Sequence, residues 1–369
     1  MGVLLALLSV LVVAAAGGGG HAAPAATAVK EATMPGFSSA SEVIAYWQVV
    51  LPNTPMPSAI QDHISGYNGK AANGDNGKNP LFIWGQENGA KVANGDNGKN
   101  PLLYWGQEKE GRHHEANGAG HNHGPFSLEN LLFSEETLTP GSTVTPYIQP
   151  VAAPHAPFLR RDVADSIQMS SKNFKDILAM FAPVSLSMAD GILTSLHACE
   201  HPRPIEGEQQ GCATSVESMV ELAVTVLGTA NLQAFSSHDV PEAGIASAPG
   251  SYKVTAVRAV TTPNKEATTM TCHGAKFPYA VFYCHAVNPT RVYDVTMQRK
   301  EDAAHGTAAW VRALTVCHLD TSKFDPMNPF FVKRGLKPGD AAVCHFLSRD
   351  SVLWAPTAPT HSHGLVAAQ

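Results

Sequence analysis

The sequence predicts an α+β protein. Its carboxy-terminal half places helices before a mainly antiparallel strand region, and its amino-terminal half is largely disordered. Three observations carry this prediction. Apolar residues recur at helical spacing up to about residue 227, β-rich segments bounded by turn residues follow from residue 252, and a long Gly, Asn and Lys stretch runs to about Pro125. At 369 residues the chain has room for two or three domains. Charged residues make up only 15%, low for a soluble domain, and 31 Gly and 26 Pro fill much of the gap.

Taken in order, residues 3–16 form an apolar run broken only by Ser9 and followed by the glycine run 17–20. That run is too short to span a bilayer and has the length of a signal-peptide core, so residues 1–23 read as a cleavable signal. Ala14-Ala15-Ala16 offers a cleavage site, with Ala23 as a later one. No other segment is apolar for long enough to make a membrane span. The expected product is a soluble secreted protein. It has no Asn-x-Ser/Thr sequon with a permitted middle residue, so N-glycosylation is not expected.

Residues 24–130 read as a flexible Gly/Asn-rich region, interrupted near its start by a short block from Ala45-Tyr46-Trp47 to Pro57. Within it, residues 70–87 repeat as 91–108 with a period of 21, identical at 15 of 18 positions. Two copies are too few for a solenoid, which stacks three or more units. Each cassette carries a short apolar core, Asn79-Pro80-Leu81-Phe82-Ile83-Trp84 and Asn100-Pro101-Leu102-Leu103-Tyr104-Trp105. Trp84 and Trp105 read either as sticky turns that dock on the folded domain or as a recognition or substrate peptide presented twice. The tract His113-His114 to His121-x-His123 is a solvated spacer or a loose metal binder.

The clearest helix spans 215–227, with Val216, Met219, Val220, Ala223, Val224 and Leu227 on one face, a Thr214/Glu217 capping box and Gly228 as a stop. A second spans 171–181. Strands are expected at 252–260, 279–287, 291–297, 310–318 and 341–346. Residues 357–369 read as a disordered tail.

With 25 basic against 31 acidic residues the net charge is −6, so there is no basic surplus to bind nucleic acid. Seventeen histidines make that charge depend on pH, rising to as much as +11 if all were protonated. Buried or metal-bound imidazoles do not join that change.

Four Cys-His dipeptides carry the strongest signal: Cys272-His273, Cys284-His285, Cys317-His318 and Cys344-His345, at intervals of 10, 31 and 25 residues. Neighbours on a strand point to opposite faces, so one face can carry disulfides and the other imidazoles. Secretion favours disulfides among the six cysteines Cys199, Cys212, Cys272, Cys284, Cys317 and Cys344, whose 15 possible pairings sequence does not distinguish. Mixed Cys/His zinc ligation is the competing reading. With the cysteines oxidised, His273, His285, His318 and His345 remain as ligands for copper, zinc or nickel, or as plain hydrogen-bonding residues.

This series, with Trp354, resembles the BURP-domain family of plant secreted proteins. The likeness runs from residue 131 to 356 and takes in Phe158-Leu159-Arg160-Arg161, Cys199-Glu200 and Cys212-Ala213-Thr214-Ser215. The layout ahead of it is most similar to the dehydration-responsive subfamily. The second interval is longer than the family's usual one, which reads as a longer hairpin loop near residues 301–306 that adds His305. The resemblance implies an apoplastic or cell-wall protein linked to development or stress, in some members associated with pectin-degrading enzymes. It implies alternatively a copper-dependent autocatalytic peptide cyclase. In that case the four histidines would hold copper, and Trp84, Trp105 and Tyr104 would be the side chains crosslinked. Under the binding reading, acid pH makes the chain cationic and helps it adhere to acidic wall polysaccharide.

Overall fold

The computed structural model describes residues 36–69, 131–200, 205–246, 252–261, 266–299 and 310–357. The signal segment, both cassettes with Trp84, Tyr104 and Trp105, the His113–His123 tract, the 301–306 insertion and all but the first residue of the tail lie outside them.

Thirteen strands are described: β1 (Phe133–Ser134), β2 (Thr143–Val144), β3 (Tyr147–Ile148), β4 (Gln209–Ala213), β5 (Leu232–Phe235), β6 (Ile245–Ala246), β7 (Tyr252–Ala259), β8 (Met270–Gly274), β9 (Phe282–Ala286), β10 (Thr290–Arg299), β11 (Trp310–His318), β12 (Val343–Phe346) and β13 (Val352–Pro356). They form a five-stranded sheet ordered β4-β9-β8-β13-β5, a six-stranded sheet ordered β1-β12-β11-β10-β7-β2 and the pair β3-β6. Every pairing among them is antiparallel. The α+β expectation holds, with helices and strands more interleaved along the chain than a helices-then-strands order.

Strand periodicity assigns the faces. In the five-stranded sheet Met270, Cys272, Phe282, Cys284, Val352 and Trp354 point to a helix-covered core that includes Val216, Met219, Val220 and Ala223. Between the two sheets lies a smaller core of Val292, Leu314, Val316, Leu347 and Leu353. The far face of the six-stranded sheet buries Val295, Met297, Ala313, Cys317, Cys344 and Phe346.

The helix expected at 215–227 is Val216–Leu227, ended by Gly228 in the left-handed region at φ 68°. Its cap lies one residue further on than expected: Ser215 caps the Ser218 N–H and Ser218 answers, in place of Thr214 and Glu217. The expected helix at 171–181 is a 3₁₀ turn, Ser171–Asn173, leading into an α-helix, Phe174–Met180. Periodicity overlooked the 15-residue helix Leu186–Glu200 and the strands β4, β5, β8 and β13. The 301–306 insertion is flanked by the paired strands β10 and β11, as a hairpin loop requires.

Residues 36–65 depart from the expectation of one flexible region over 24–130. The helix Ala40–Val50 is opened by a Ser39/Glu42 capping box and buries Val43 and Trp47. Trp47 packs 5.8 Å from Trp354, and its indole N–H donates to the Thr54 carbonyl at 2.7 Å. Thr54 in turn donates to the Leu232 carbonyl, which fastens the Pro-rich turn to the edge strand β5. The following helix, Ser58–Gly69, is held by Asp62 accepting from Arg349. This block was hidden from composition because Pro52, Pro55 and Pro57 read as breakers, whereas here they shape the turn between two packed helices.

Candidate metal centre

All six cysteines are paired: Cys199 with Cys212, Cys272 with Cys284, and Cys317 with Cys344. The last two bridges join residues directly opposite each other in β8/β9 and β11/β12. No thiolate is left for zinc, which removes the mixed Cys/His reading. Because each cystine points to an outer core, the neighbouring residue on each strand turns inward. The four histidines that follow the cysteines therefore meet between the sheets, two from each.

Their rings form a closed circuit. Centroids are separated by 5.3 Å for His273–His285, 6.0 Å for His285–His318, 5.5 Å for His318–His345 and 5.8 Å for His345–His273. Each residue is 3–5% exposed, so the ring lies out of water's reach. Burial and the neighbouring imidazoles oppose a positive charge. His345 is held at about 3, His318 at about 4, and His273 well below the ordinary imidazole value.

Every Nδ1 has a hydrogen-bond partner, and for three of the rings that partner can only accept. His285 Nδ1 donates to Glu208 Oε1 at 3.0 Å and His318 Nδ1 to the Val287 carbonyl at 3.0 Å. His345 Nδ1 faces the Phe346 carbonyl at a longer 3.4 Å, and His273 Nδ1 meets Ser351 Oγ at 3.2 Å. Neutral imidazole carries one N–H, so a proton on Nδ1 makes Nε2 the lone-pair nitrogen. This is the tautomer that metal-bound histidine adopts, with a carbonyl or carboxylate behind it.

Glu208 is only 3% exposed at its side chain and also accepts from the Ile205 N–H. The Tyr283 ring stacks near His285 and its hydroxyl donates to Gln210. Desolvation, followed by the Glu208 charge, raises the Tyr283 phenol well above its usual range. Beside the histidines is a cavity of about 20 Å³, lined by His273, His285, His345, Gln149, Phe346 and Ser348 among others. That is room for roughly one water or ion. The buried Gln149 amide nitrogen has no hydrogen-bond partner.

As the side chains stand, three or more His, Cys, Asp or Glu donors do not form a ready-made metal cage among the described residues. The donor chemistry nevertheless fits copper: four imidazoles and no thiolate, with carboxylate and carbonyl supports behind three of the rings, beside an ion-sized space. Glu208 and Ser351 are not legible in the sequence, since no spacing marks a residue 77 or 78 positions from the imidazole it meets.

A larger cavity, about 600 Å³, lies elsewhere, around the amino-terminal helices and lined by Ile44, Trp47, Pro55, Met56, Gln61 and Ile64 among others. It is distinct from the histidine ring, because Trp47 lies on the helix-covered side of the five-stranded sheet.

A family model described as the BURP domain matches residues 131–356. Among curated relatives, BURP domain-containing protein 11 of Oryza sativa subsp. japonica is 40% identical over 268 residues, covering 67% of this chain and 81% of that protein. BURP domain-containing protein 9 of the same plant is 38% identical over 234 residues, 63% of this chain and 44% of that one. Protein RAFTIN 1A of Triticum aestivum is 37% identical over 235 residues, 63% of this chain and 57% of that one. The chain thus spans about half the length of the last two.

Proposed function

Since the chain belongs to the BURP-domain family of plant proteins, we propose that it is a secreted protein of the apoplast or cell wall with a four-histidine copper centre between its two sheets. The observation that carries the metal reading is the shared orientation: all four rings direct Nδ1 to a supporting partner, three of which can only accept, and so present Nε2 as the nitrogen available to a metal. His273, His285, His318 and His345 are the ligands, with Glu208 orienting His285. Bound copper would supply Lewis acidity and one-electron chemistry. The chain's own part is to hold His273, His318 and His345 neutral, orient all four rings and exclude water.

Secretion is supported by the apolar run at 3–16 and by three disulfides, which persist in oxidising compartments. Among the described residues no helix is long and apolar enough to cross a membrane. The partner class is acidic wall polysaccharide, with a pectin-degrading enzyme as a further candidate. At least four of the seventeen histidines, His63, His273, His318 and His345, have lowered pKa values, so adhesion at acid pH rests on the others.

The cyclase reading keeps one specific support, the duplicated Trp cassettes. Set against it, the ion-sized cavity has no room for an indole, so crosslinking Trp84, Trp105 or Tyr104 requires the sheets or the 347–351 turn to open. Two measurements on the purified full-length secreted form test these readings. Dialysis against Cu(II) should leave copper that a His285→Ala/His318→Ala double variant loses, and equal retention by both would overturn the centre. Peptide masses after copper treatment report crosslinking as the loss of two hydrogens within residues 79–86 or 100–107. Unchanged masses would leave the binding reading alone.

A further inference from the structure

Three of the four rings are oriented by a group that only accepts hydrogen bonds, namely the Glu208 carboxylate or a backbone carbonyl. His273 differs. Its Nδ1 meets a hydroxyl, Ser351 Oγ, which can donate or accept and so does not by itself choose a tautomer. What chooses lies two hydrogen bonds further on. Ser351 Oγ is 2.8 Å from Ser348 Oγ, and Ser348 Oγ donates to Asp350 Oδ1 at 2.7 Å. Asp350 Oδ2 is occupied by the Ala152 backbone N–H at 2.8 Å. Ser348, Asp350 and Ser351 are 8%, 6% and 0% exposed, so solvent does not compete with the chain. A Cβ at Gly274, next to His273, would overlap Asp350 Oδ2, so this glycine lets the carboxylate sit directly on β8.

A carboxylate has no proton to give, and each serine hydroxyl has one. Ser348 uses its proton on Asp350 and must therefore accept from Ser351. Ser351 then has no second proton and must accept from His273 Nδ1–H. We propose that Asp350 is a positioning residue for the histidine centre. Through two buried hydroxyls it fixes His273 as the Nδ1–H tautomer and so sets Nε2 as the lone pair facing His285. The inference rests on the four-histidine reading for its purpose, but its test reads the ring without any metal.

Asp350→Asn should reverse the chain. The Ala152 N–H still requires an acceptor, so the amide oxygen takes that place and the amide N–H₂ faces Ser348. Ser348 then donates to Ser351, Ser351 donates to His273 Nδ1, and the ring proton moves to Nε2. The experiment is a long-range ¹H–¹⁵N spectrum of histidine-labelled, metal-free full-length protein at neutral pH. His273 is expected as Nδ1–H in the wild type and Nε2–H in folded Asp350→Asn, while His285 stays Nδ1–H in both. An Nε2–H ring in the wild type, or an unchanged His273 in the folded variant, would overturn the proposal. Should Asp350→Asn fail to fold, Ser351→Ala removes the ring's partner and leaves Ser348–Asp350 intact. A mixture of tautomers at His273 is then expected, and pure Nδ1–H would overturn the proposal. Copper retention by both proteins is measured in parallel. If the wild type shows the expected tautomer yet retains no copper, the metal reading fails and the positioning role of Asp350 stands.

Discussion

His273 Nε2 and His285 Nε2 lie 3.3 Å apart, and with both ring protons on Nδ1 they face each other as lone pairs. Two acceptors at that distance repel unless a cation lies between or beside them. Desolvation and the neighbouring imidazoles oppose a proton on His273, and under the proposed copper reading the metal ion takes the place of that cation.

Glu208 is the first place to test that view. Glu208→Gln keeps the shape, but the Ile205 N–H claims the amide oxygen and leaves N–H₂ facing His285 Nδ1. Copper affinity should fall by about 10–100-fold, as for other groups behind metal-bound histidines. Chelator competition measures this, and unchanged affinity would remove Glu208 from the site.

Acid should destabilise the metal-free protein. The folded pKa of His318 is about 4 and that of His345 about 3, against about 6.5 unfolded, so below about pH 6.5 the unfolded chain binds more protons. Stability is fully present above about pH 6.5 and declines as pH falls towards these folded values. The His318 share is on the order of 3 kcal/mol. Urea midpoints between about pH 7 and about pH 4.5 should drop, and less steeply in His318→Gln. A flat profile would show that these rings are not buried neutral.

Wall adhesion separates the buried imidazoles from the rest. Retention on a pectin matrix should rise from about pH 7.5 to about pH 5, and should rise equally in a folded His318→Gln/His345→Gln variant. Retention that does not change with pH would sink the electrostatic account.

Trp47 tests whether the amino-terminal helices belong to the folded unit. It is 3% exposed against Trp354, so Trp47→Ala should cost about 3–5 kcal/mol in denaturant unfolding. A loss near zero would mean that residues 36–65 only rest on the surface.

What was legible in the sequence follows from what is periodic. Alternation on a strand placed cysteines and histidines on opposite faces, and the bridges and the imidazole ring occupy those faces. The strand 310–318 was read to its ends because β-branched and apolar residues run through it without a breaker. β8 escapes a period-two reading, though it carries Cys272 and His273, because Thr271 and His273 are buried along with Met270 and Cys272, so its polarity does not follow its faces. The Trp47 block packs through contacts to Trp354 and Leu232, far away in sequence, and local composition carries no trace of them. Nor does the sequence show the Ser351–Ser348–Asp350 chain, whose direction is set by the Asp350 carboxylate and whose end is held by the distant Ala152 N–H.

The central claim is that four imidazoles share one copper. Pulsed electron paramagnetic resonance on the copper-loaded full-length protein counts the nitrogen ligands directly, and the His285→Ala/His318→Ala variant accounts for any copper on the His113–His123 tract. The account predicts a wild-type signal coupled to several imidazoles, with one equivalent of it absent from the variant. A copper signal identical in the two proteins, or none retained by the wild type, would contradict it.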